Sequence, residues 1–245
     1  MAHSVRRARV VDARVLSPSV RSLSLAVDRG PSEEEGEAAP FAFTAGQWVN
    51  LHVPTREGIQ KRAYSIASGP RTHPIELAVT HVPEGLVSPA LHALEPGTEL
   101  AIDGPHGFFT REGDAASAPA LFVGTGTGLC PLRSMLTELL ADPDHPPLAL
   151  LFGVRREEDI LYRAELEAWA ARDPRFTLAV TLSRPGPGWS GRTGYVQAHL
   201  AALARELGAP HVFVCGLNRM VAEVRALLKS ELGYDCKRIH TERYD

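Results

Sequence analysis

The first third of the chain alternates apolar and polar residues with a period of two. The alternation is clearest in Val11-Asp12-Ala13-Arg14-Val15 and in Leu23-Ser24-Leu25-Ala26-Val27. A period of two is typical of half-buried strands. Further elements are predicted as strands at Gln47 to Val53, Arg62 to Ala67, Ile75 to Val82 and Glu99 to Ile102, with a short helix at Pro89 to Leu94. Six short strands joined by turns predict a small antiparallel barrel.

The pattern changes after a linker without periodicity, Thr110 to Pro119. The continuous apolar run Ala120-Leu121-Phe122-Val123 predicts a buried strand, and leucines at helical spacing follow it. The same alternation of elements is repeated, with strands at Leu148 to Phe152, Phe176 to Leu182 and His211 to Val214 and helices at Ala164 to Ala171, Val196 to Leu207 and Met220 to Leu232. Such alternation predicts a parallel sheet with both faces covered.

The predicted fold is therefore α+β with two domains. Residues 1–112 are expected to form an antiparallel six-stranded β-barrel, and residues 119–245 a Rossmann-like parallel α/β domain. Within the barrel, the segment Gly30 to Glu37 is too charged to pack and is expected to be a solvated loop, although an acidic docking site for a partner is an alternative.

Composition narrows the class of protein. With 245 residues, 44% hydrophobic and 22% charged, and a net charge of -3, the chain lacks the basic excess of nucleic-acid-binding proteins. No apolar run approaches the roughly 18 residues of a membrane helix. The cysteines Cys130, Cys215 and Cys236 have no Cys-x-x-Cys spacing, which argues against disulfides, zinc and iron–sulfur clusters. The basic amino terminus has no apolar segment, so we expect a cytoplasmic protein. Of the possible oligomeric states, we favour a monomer.

A glycine-rich turn is the first candidate binding site. Thr125, Gly126, Thr127 and Gly128 follow a predicted buried strand and precede a predicted helix. Glycines let a backbone approach a pyrophosphate closely, and the free N–H groups of the helix start then bind it. In this strand-turn-helix setting the turn predicts dinucleotide binding. A tight turn that serves packing alone is the alternative.

The residues at the ends of the next strands indicate which dinucleotide the domain binds. A domain selective for NAD usually ends its second strand with a carboxylate, but this chain has Ser183 and Arg184 after the strand that ends at Leu182. Together with Arg155 and Arg192, these residues could bind an extra phosphate. This favours NADP(H), with NAD(H) as the alternative, because arginines are also common on plain surfaces.

The tetrapeptide Arg62-Ala63-Tyr64-Ser65 is the second candidate site. On a strand, Arg62 and Tyr64 point to one side and Ala63 and Ser65 to the other. Arg62 could bind a cofactor phosphate, and Tyr64 could lie flat on an aromatic ring. A plain edge strand with one charged residue explains the same residues.

Seven motifs, in order along the chain, resemble those of the ferredoxin–NADP reductase family. Within this family, the chain most resembles the short stand-alone bacterial type. The resemblance covers nearly the whole chain, and the order of the motifs makes it specific. The motifs are Gly46-Gln47-Trp48, Arg62-Ala63-Tyr64-Ser65, Gly85-Leu86-Val87-Ser88-Pro89, Gly104-Pro105-His106-Gly107-Phe108-Phe109, Gly124-Thr125-Gly126-Thr127-Gly128, Val214-Cys215-Gly216 and Glu242-Arg243-Tyr244.

The resemblance implies an FAD-binding barrel followed by an NADP-binding domain. It assigns the FAD pyrophosphate to Arg62 and Ser88, with backbone N–H groups around Leu86 and Val87. It places Tyr64 and Tyr244 on opposite faces of the flavin ring and Ser65 near flavin N5. Cys215 would lie beside the nicotinamide, and Glu242 would complete the polar cluster. From the residues alone, Cys215 would instead be a buried core thiol and Glu242 and Tyr244 a frayed terminus.

The activity that the resemblance implies is hydride transfer between NADPH and FAD, with single electrons passed on to a ferredoxin, a flavodoxin or an oxygenase component. An NAD(P)H:flavin reductase and an NADH-dependent reductase component are alternative enzymes. The non-enzymatic alternative is a nucleotide-binding subunit without turnover. The presence of Ser65, Cys215 and Glu242 together argues against it, because a protein that only binds a nucleotide does not need these residues around the nicotinamide.

Overall fold

The computed structural model describes residues 5–28 and 41–244. Contacts divide the chain into two compact units, Met1–Thr110 with Arg133–Glu138 and Arg111–Leu132 with Leu139–Asp245. The expected solvated loop at Gly30 to Glu37 lies outside the described residues. Within the described ranges, no helix is long and apolar enough to cross a membrane.

The first unit contains a six-stranded antiparallel sheet in the order β4-β3-β6-β1-β2-β5. Its edge strands meet where Ile66, directly after β4, forms a bridge with Leu77 of β5, so the sheet closes on itself as predicted. The helix α1 (Ser88–His92) precedes the last strand. The strands are β1 (Arg6–Ser17), β2 (Val20–Val27), β3 (Trp48–Thr55), β4 (Gly58–Ser65), β5 (Ile75–Thr80) and β6 (Glu99–His106).

Alternation along the strands builds the core of this barrel. On β3, Val49, Leu51 and Val53 are buried, while the residues between them are partly exposed. Residues of the neighbouring strands, such as Leu23 and Ile102, complete the same hydrophobic cluster. The strand therefore has an inner face of apolar side chains and an outer face that begins with Trp48, and this division decides which residues can meet a ligand.

The second unit contains a six-stranded parallel sheet in the order β10-β9-β8-β7-β11-β12. Every residue of β8 is buried, as expected for a strand covered on both faces. The elements in this part of the chain are β7 (Ala120–Thr125), α2 (Leu129–Leu139), β8 (Leu148–Val154), α3 (Arg163–Arg172), β9 (Phe176–Leu182), β10 (Arg192–Thr193), α4 (Gln197–Glu206), β11 (His211–Leu217), α5 (Asn218–Ser230) and β12 (Ile239–Tyr244).

The predicted fold class is confirmed, with differences in detail. The strand predicted at Arg62 to Ala67 begins earlier, at Gly58, and ends at Ser65, because it forms a hairpin with β3 in which Thr55 pairs with Gly58. Two strands of the second unit, β10 and β12, have no counterpart among the predicted elements. Both lie at the edges of the parallel sheet, where residues are only partly buried or exposed.

Candidate functional site

The hairpin of β3 and β4 fixes the directions of the tetrapeptide Arg62 to Ser65. Tyr64 pairs with Val49 and Arg62 with Leu51, so these two side chains point to the same side of β4, as predicted, and this side is the inner face. Tyr64 packs against the barrel core, and its burial raises the pKa of its phenol to about 12, while Arg62 opposes this shift. The phenol is therefore neutral at physiological pH. Arg62 itself is exposed and donates one hydrogen bond to the Lys61 carbonyl at 2.8 Å.

The other two residues of the tetrapeptide lie on the outer face of β4. Ala63 pairs with Asn50, and Ser65, which is 8% exposed, pairs with Trp48. The strand therefore offers an exposed guanidinium and a neutral aromatic ring on one side and a nearly buried hydroxyl on the other. This division matches the prediction for the tetrapeptide, although no contact with a cofactor is part of the structure.

The loop before α1 contains the residues predicted to bind a pyrophosphate by their backbone. Ser88 is buried, and its hydroxyl accepts a hydrogen bond from the Val82 N–H at 2.9 Å. It therefore closes the loop, within which Gly85 also bonds back to Val82. Val87 is buried, whereas Leu86 remains partly exposed. The hydroxyl of Ser88 is thus already hydrogen-bonded within the loop. The loop would therefore bind a phosphate through its backbone N–H groups.

A cavity of about 790 Å³ lies beside this loop in the first unit. The turn Pro54 to Arg56, which joins β3 and β4, forms one wall, and the loop residues Pro83 to Leu86 form another, with Pro89 and Ala90. A volume of this size accommodates a nucleotide-sized ligand. The cavity and the loop N–H groups fit a phosphate-bearing nucleotide, whereas the exposed Arg62 guanidinium is not among the residues that line this cavity.

The glycine turn of the second unit connects β7 to α2 as predicted. Gly126 has a φ of +54°, and a Cβ there would meet open space, so its backbone is exposed to an approaching ligand. Gly128 is needed for a different reason: a Cβ there would lie 2.4 Å from the Cys215 carbonyl oxygen. The Thr125 hydroxyl is buried and has no hydrogen-bond partner among the described residues. The open turn at Gly126 fits the predicted pyrophosphate, whereas the Thr125 hydroxyl is too buried to reach it.

The four residues predicted to bind an extra phosphate lie at the carboxyl ends of neighbouring strands. Arg155 follows β8, while Ser183 and Arg184 follow β9, and the Arg184 N–H donates to the Arg155 carbonyl at 2.8 Å. Arg192 comes to the same region because β10 pairs it with Thr181 of β9. All three arginines are exposed. Three exposed arginines at neighbouring strand ends fit an anionic ligand.

Sequence reasoning did not identify Trp189, which shapes the loop between β9 and β10. Its indole Nε1 donates to the Arg192 carbonyl at 2.8 Å. Gly191 lies directly under the ring, where a Cβ would be 2.5 Å from Trp189. The tryptophan therefore fixes the backbone at Arg192. The tripeptide Trp189-Ser190-Gly191 could have indicated a tight turn, but not which carbonyl the indole would reach.

The pairing of β11 with β12 brings the predicted nicotinamide residues together. Cys215 pairs with Glu242, and Leu217 pairs with Tyr244. Cys215 is fully buried, and burial, followed by the charge of Glu242, raises the pKa of its thiol well above the usual value, although a hydrogen bond with Tyr244 opposes this. The thiol is therefore protonated and neutral. Ser65, the fourth predicted catalytic residue, belongs to the first unit.

Comparison with known proteins defines the class first. A family model described as an oxidoreductase FAD-binding domain matches residues 7–110, and one described as an oxidoreductase NAD-binding domain matches residues 122–226. The chain is thus an oxidoreductase with FAD- and NAD(P)-binding domains. It is 53% identical to "Ferredoxin--NADP reductase B" of Sorangium cellulosum (strain So ce56), over 97% of each chain. The chain belongs to the ferredoxin–NADP reductase family.

More distant relatives include reductases of oxygenases. The chain is 32% identical to the phenol hydroxylase P5 protein of Acinetobacter pittii (strain PHEA-2), of whose length it covers 65%. Among solved structures, the Amycolatopsis cytochrome P450 reductase GcoB is 28% identical with a TM-score of 0.80, and 70% of that chain is covered. A mutant of the ferredoxin-NADP+ reductase of Plasmodium falciparum with 2'P-AMP, at 23% identity and a TM-score of 0.81, shares the fold over 99% of this chain.

Proposed function

We propose that the protein is a flavoenzyme that transfers hydride between NADPH and FAD. Its electron acceptor is a ferredoxin, a flavodoxin or an oxygenase component. The observation that carries the choice of NADPH is the cluster of Arg155, Ser183, Arg184 and Arg192 at one edge of the second sheet, beside the glycine turn. The 53% identity to a ferredoxin–NADP reductase and the kinship with oxygenase reductases support the proposed acceptors.

In this proposal the first unit holds FAD. Arg62 binds the pyrophosphate, together with the N–H groups of Leu86 and Val87 and the helix start at Ser88. Ser65 would donate a hydrogen bond near flavin N5, and the neutral ring of Tyr64 would lie against the flavin. Bound FAD supplies the capacity to take up two electrons as hydride and to release them one at a time. The protein's part is to bind, orient and shield it.

The second unit holds NADPH. The backbone of Thr125, Gly126, Thr127 and Gly128 binds the pyrophosphate, and the arginine cluster binds the 2'-phosphate. The protonated thiol of Cys215 would lie beside the nicotinamide as a small, neutral group that adds no charge there. Glu242 and Tyr244 complete this cluster from β12, and Glu242 can hold a proton at its carboxylate.

The proposed setting is the cytoplasm, as the cysteine content suggests. Cys130, Cys215 and Cys236 form no disulfide with one another, and Cys236 is exposed. Disulfides persist mainly in oxidising compartments, so three cysteines without a disulfide are consistent with a reducing one.

Passage over a desalting column, followed by an assay with NADPH and ferricyanide, tests the proposed function. We expect the protein to retain one FAD and to reduce ferricyanide, which accepts single electrons. Loss of FAD on the column, with turnover restored by free flavin, would favour an NAD(P)H:flavin reductase. FAD retention without any turnover would favour a nucleotide-binding subunit.

A further inference from the structure

On the outer face of the barrel, four donors converge on the carboxylate of Asp103, whose side chain is 5% exposed. One oxygen accepts hydrogen bonds from Asn50 Nδ2 at 2.9 Å and His106 Nε2 at 2.6 Å. The other accepts from His52 Nε2 at 2.6 Å and Lys61 Nζ at 2.7 Å. These residues come from β3, β4 and β6, so one carboxylate ties three strands together.

The carboxylate is ionised and its hydrogen-bonding capacity is full. A carboxylate has about four lone-pair sites, and Asp103 uses four. Burial raises the pKa of Asp103, but the bonds from Lys61, Asn50 and the two histidines outweigh it and hold the pKa well below its usual range. Losing one donor would therefore leave a buried negative charge incompletely compensated.

Among the four donors to Asp103, Lys61 lies next to a residue predicted to bind the cofactor. Lys61 directly precedes Arg62 on β4, and β4 lies at an edge of the sheet, paired along its length with β3 alone. At its other end, the Ile66–Leu77 bridge holds the chain against β5. The Lys61–Asp103 contact thus anchors β4 to β6, one strand further away, at the point where the cofactor tetrapeptide begins.

We propose that Asp103 is a positioning residue for the FAD-binding strand, and that it acts through Lys61 by holding Arg62 in place for the FAD pyrophosphate. The proposal rests on the proposed function, in which Arg62 binds FAD. A residue that fixes a ligand-binding side chain lowers the entropic cost of binding without touching the ligand. Asp103 contributes in this way, while Arg62 makes the contact.

Lys61→Met is the sharper variant for a test, because Asp103→Asn turns an amide N–H toward the donors and is expected to destabilise the barrel itself. Lys61 is 53% exposed, and in Lys61→Met the carboxylate keeps three donors within β3 and β6. Asp103 is buried, but Lys61 is half exposed, so water can reach the carboxylate oxygen that the ammonium leaves, and the loss of global stability is expected to be small. The variant therefore releases β4 and leaves the rest of the cluster.

The experiment is a fluorescence titration of the apoprotein with FAD, alongside thermal unfolding of the same apoprotein. We expect Lys61→Met to raise the dissociation constant for FAD about tenfold, with an unfolding midpoint within about 3 °C of wild type. Lys61→Arg should restore most of the affinity. Lys229→Met, which removes the same charge from α5 in the second unit, is the matched control and should bind FAD like wild type.

Equal FAD affinity in Lys61→Met and wild type would overturn the positioning role while leaving the proposed function intact. A loss of affinity accompanied by a large drop in the unfolding midpoint would also overturn it, because the cluster would then only stabilise the barrel. A wild-type apoprotein that does not bind FAD would overturn the proposed function, and this inference with it.

Discussion

Cys215 shows how the environment of a single residue decides its chemistry. The thiolate, rather than the thiol, reacts with alkylating agents. Burial and the neighbouring Glu242 raise the pKa of the Cys215 thiol, so the thiolate is scarce at neutral pH. A reactive nucleophile is thereby excluded, and the residue can serve as a neutral neighbour of the nicotinamide.

Iodoacetamide at pH 8 should therefore modify Cys236 and spare Cys215. Cys236 is exposed, whereas Cys215 and Cys130 are buried. Peptide mass spectrometry after a time course measures each thiol, and labelling in urea, where all three should react, is the control. Modification of Cys215 as fast as Cys236 in the folded protein would contradict the protonated, inaccessible thiol.

Arg184 decides between the two nicotinamide nucleotides in the proposed function. Arg184→Ala should raise the KM for NADPH by about tenfold or more, because a charge-assisted hydrogen bond to a phosphate is worth about 1.5–3 kcal/mol. The KM for NADH should stay unchanged. Arg156→Ala is the matched control, since Arg156 is exposed and pairs with Glu158 at 3.7 Å. Equal losses with NADPH and NADH would argue against 2'-phosphate binding.

At the scale of elements, the glycine turn depends on its contact with β11. Gly128→Ala would place a Cβ 2.4 Å from the Cys215 carbonyl oxygen and 2.8 Å from the Gly216 Cα. Backbone atoms cannot move aside as a flexible side chain can, so the turn or β11 must shift. We expect a fall of about 1–3 kcal/mol in the free energy of unfolding, together with weaker NADPH binding.

Urea denaturation measures the effect of Gly128→Ala, and Gly186→Ala provides the control. A Cβ at Gly186 would meet nothing within 4 Å, and this glycine needs no positive φ. A Gly128→Ala protein as stable as Gly186→Ala would show that the turn has more room than the structure gives it.

The elements that the sequence predicts well are those with a regular burial pattern. The strands β8 and β9 were predicted within two residues, because short runs rich in apolar and β-branched residues are typical of buried strands. The strand β12 was not predicted from pattern, because every one of its residues is partly buried or exposed. An edge strand pairs on one side only, so its sequence shows no clear period.

The candidate site divides in the same way. The glycine turn and the arginines beside it could be predicted, because a turn and a strand end are local features of the sequence. The pairing of Cys215 with Glu242 could not, since the register between β11 and β12 depends on the packing of the whole sheet. The resemblance to the family, rather than the sequence pattern, assigned these two residues to the site. The convergence on Asp103 is equally non-local, because its donors lie on three strands.

At the scale of the whole molecule, a histidine pair predicts how stability depends on pH. His211 Nδ1 lies 3.1 Å from His240 Nε2, and the ring of His240 stacks on Phe213. Burial lowers the pKa of both histidines. Arg238 and Arg111 add to the shift at His211, which Asp114 opposes, and His211 and Arg111 add to it at His240. The folded protein therefore resists protonation of this pair.

Unfolded histidines titrate near pH 6.5, above their folded pKa, so the unfolded state binds more protons as the pH falls below that value. The free energy of unfolding should thus decrease between pH 7 and pH 5. His240→Phe keeps a ring against Phe213 and removes one titrating group, so its decrease should be shallower. Urea denaturation at several pH values measures both, and identical pH slopes would contradict the role of the pair.

The central claim is that NADPH delivers hydride to FAD bound by this chain. Anaerobic rapid mixing of the FAD-loaded protein with NADPH or NADH, followed at the visible flavin absorbance, tests it most directly. We predict that NADPH bleaches the flavin at least about tenfold faster than NADH at equal low concentrations. Equal or faster bleaching by NADH would contradict the arginine cluster as a 2'-phosphate site, and a flavin that neither nucleotide bleaches would contradict the claim itself.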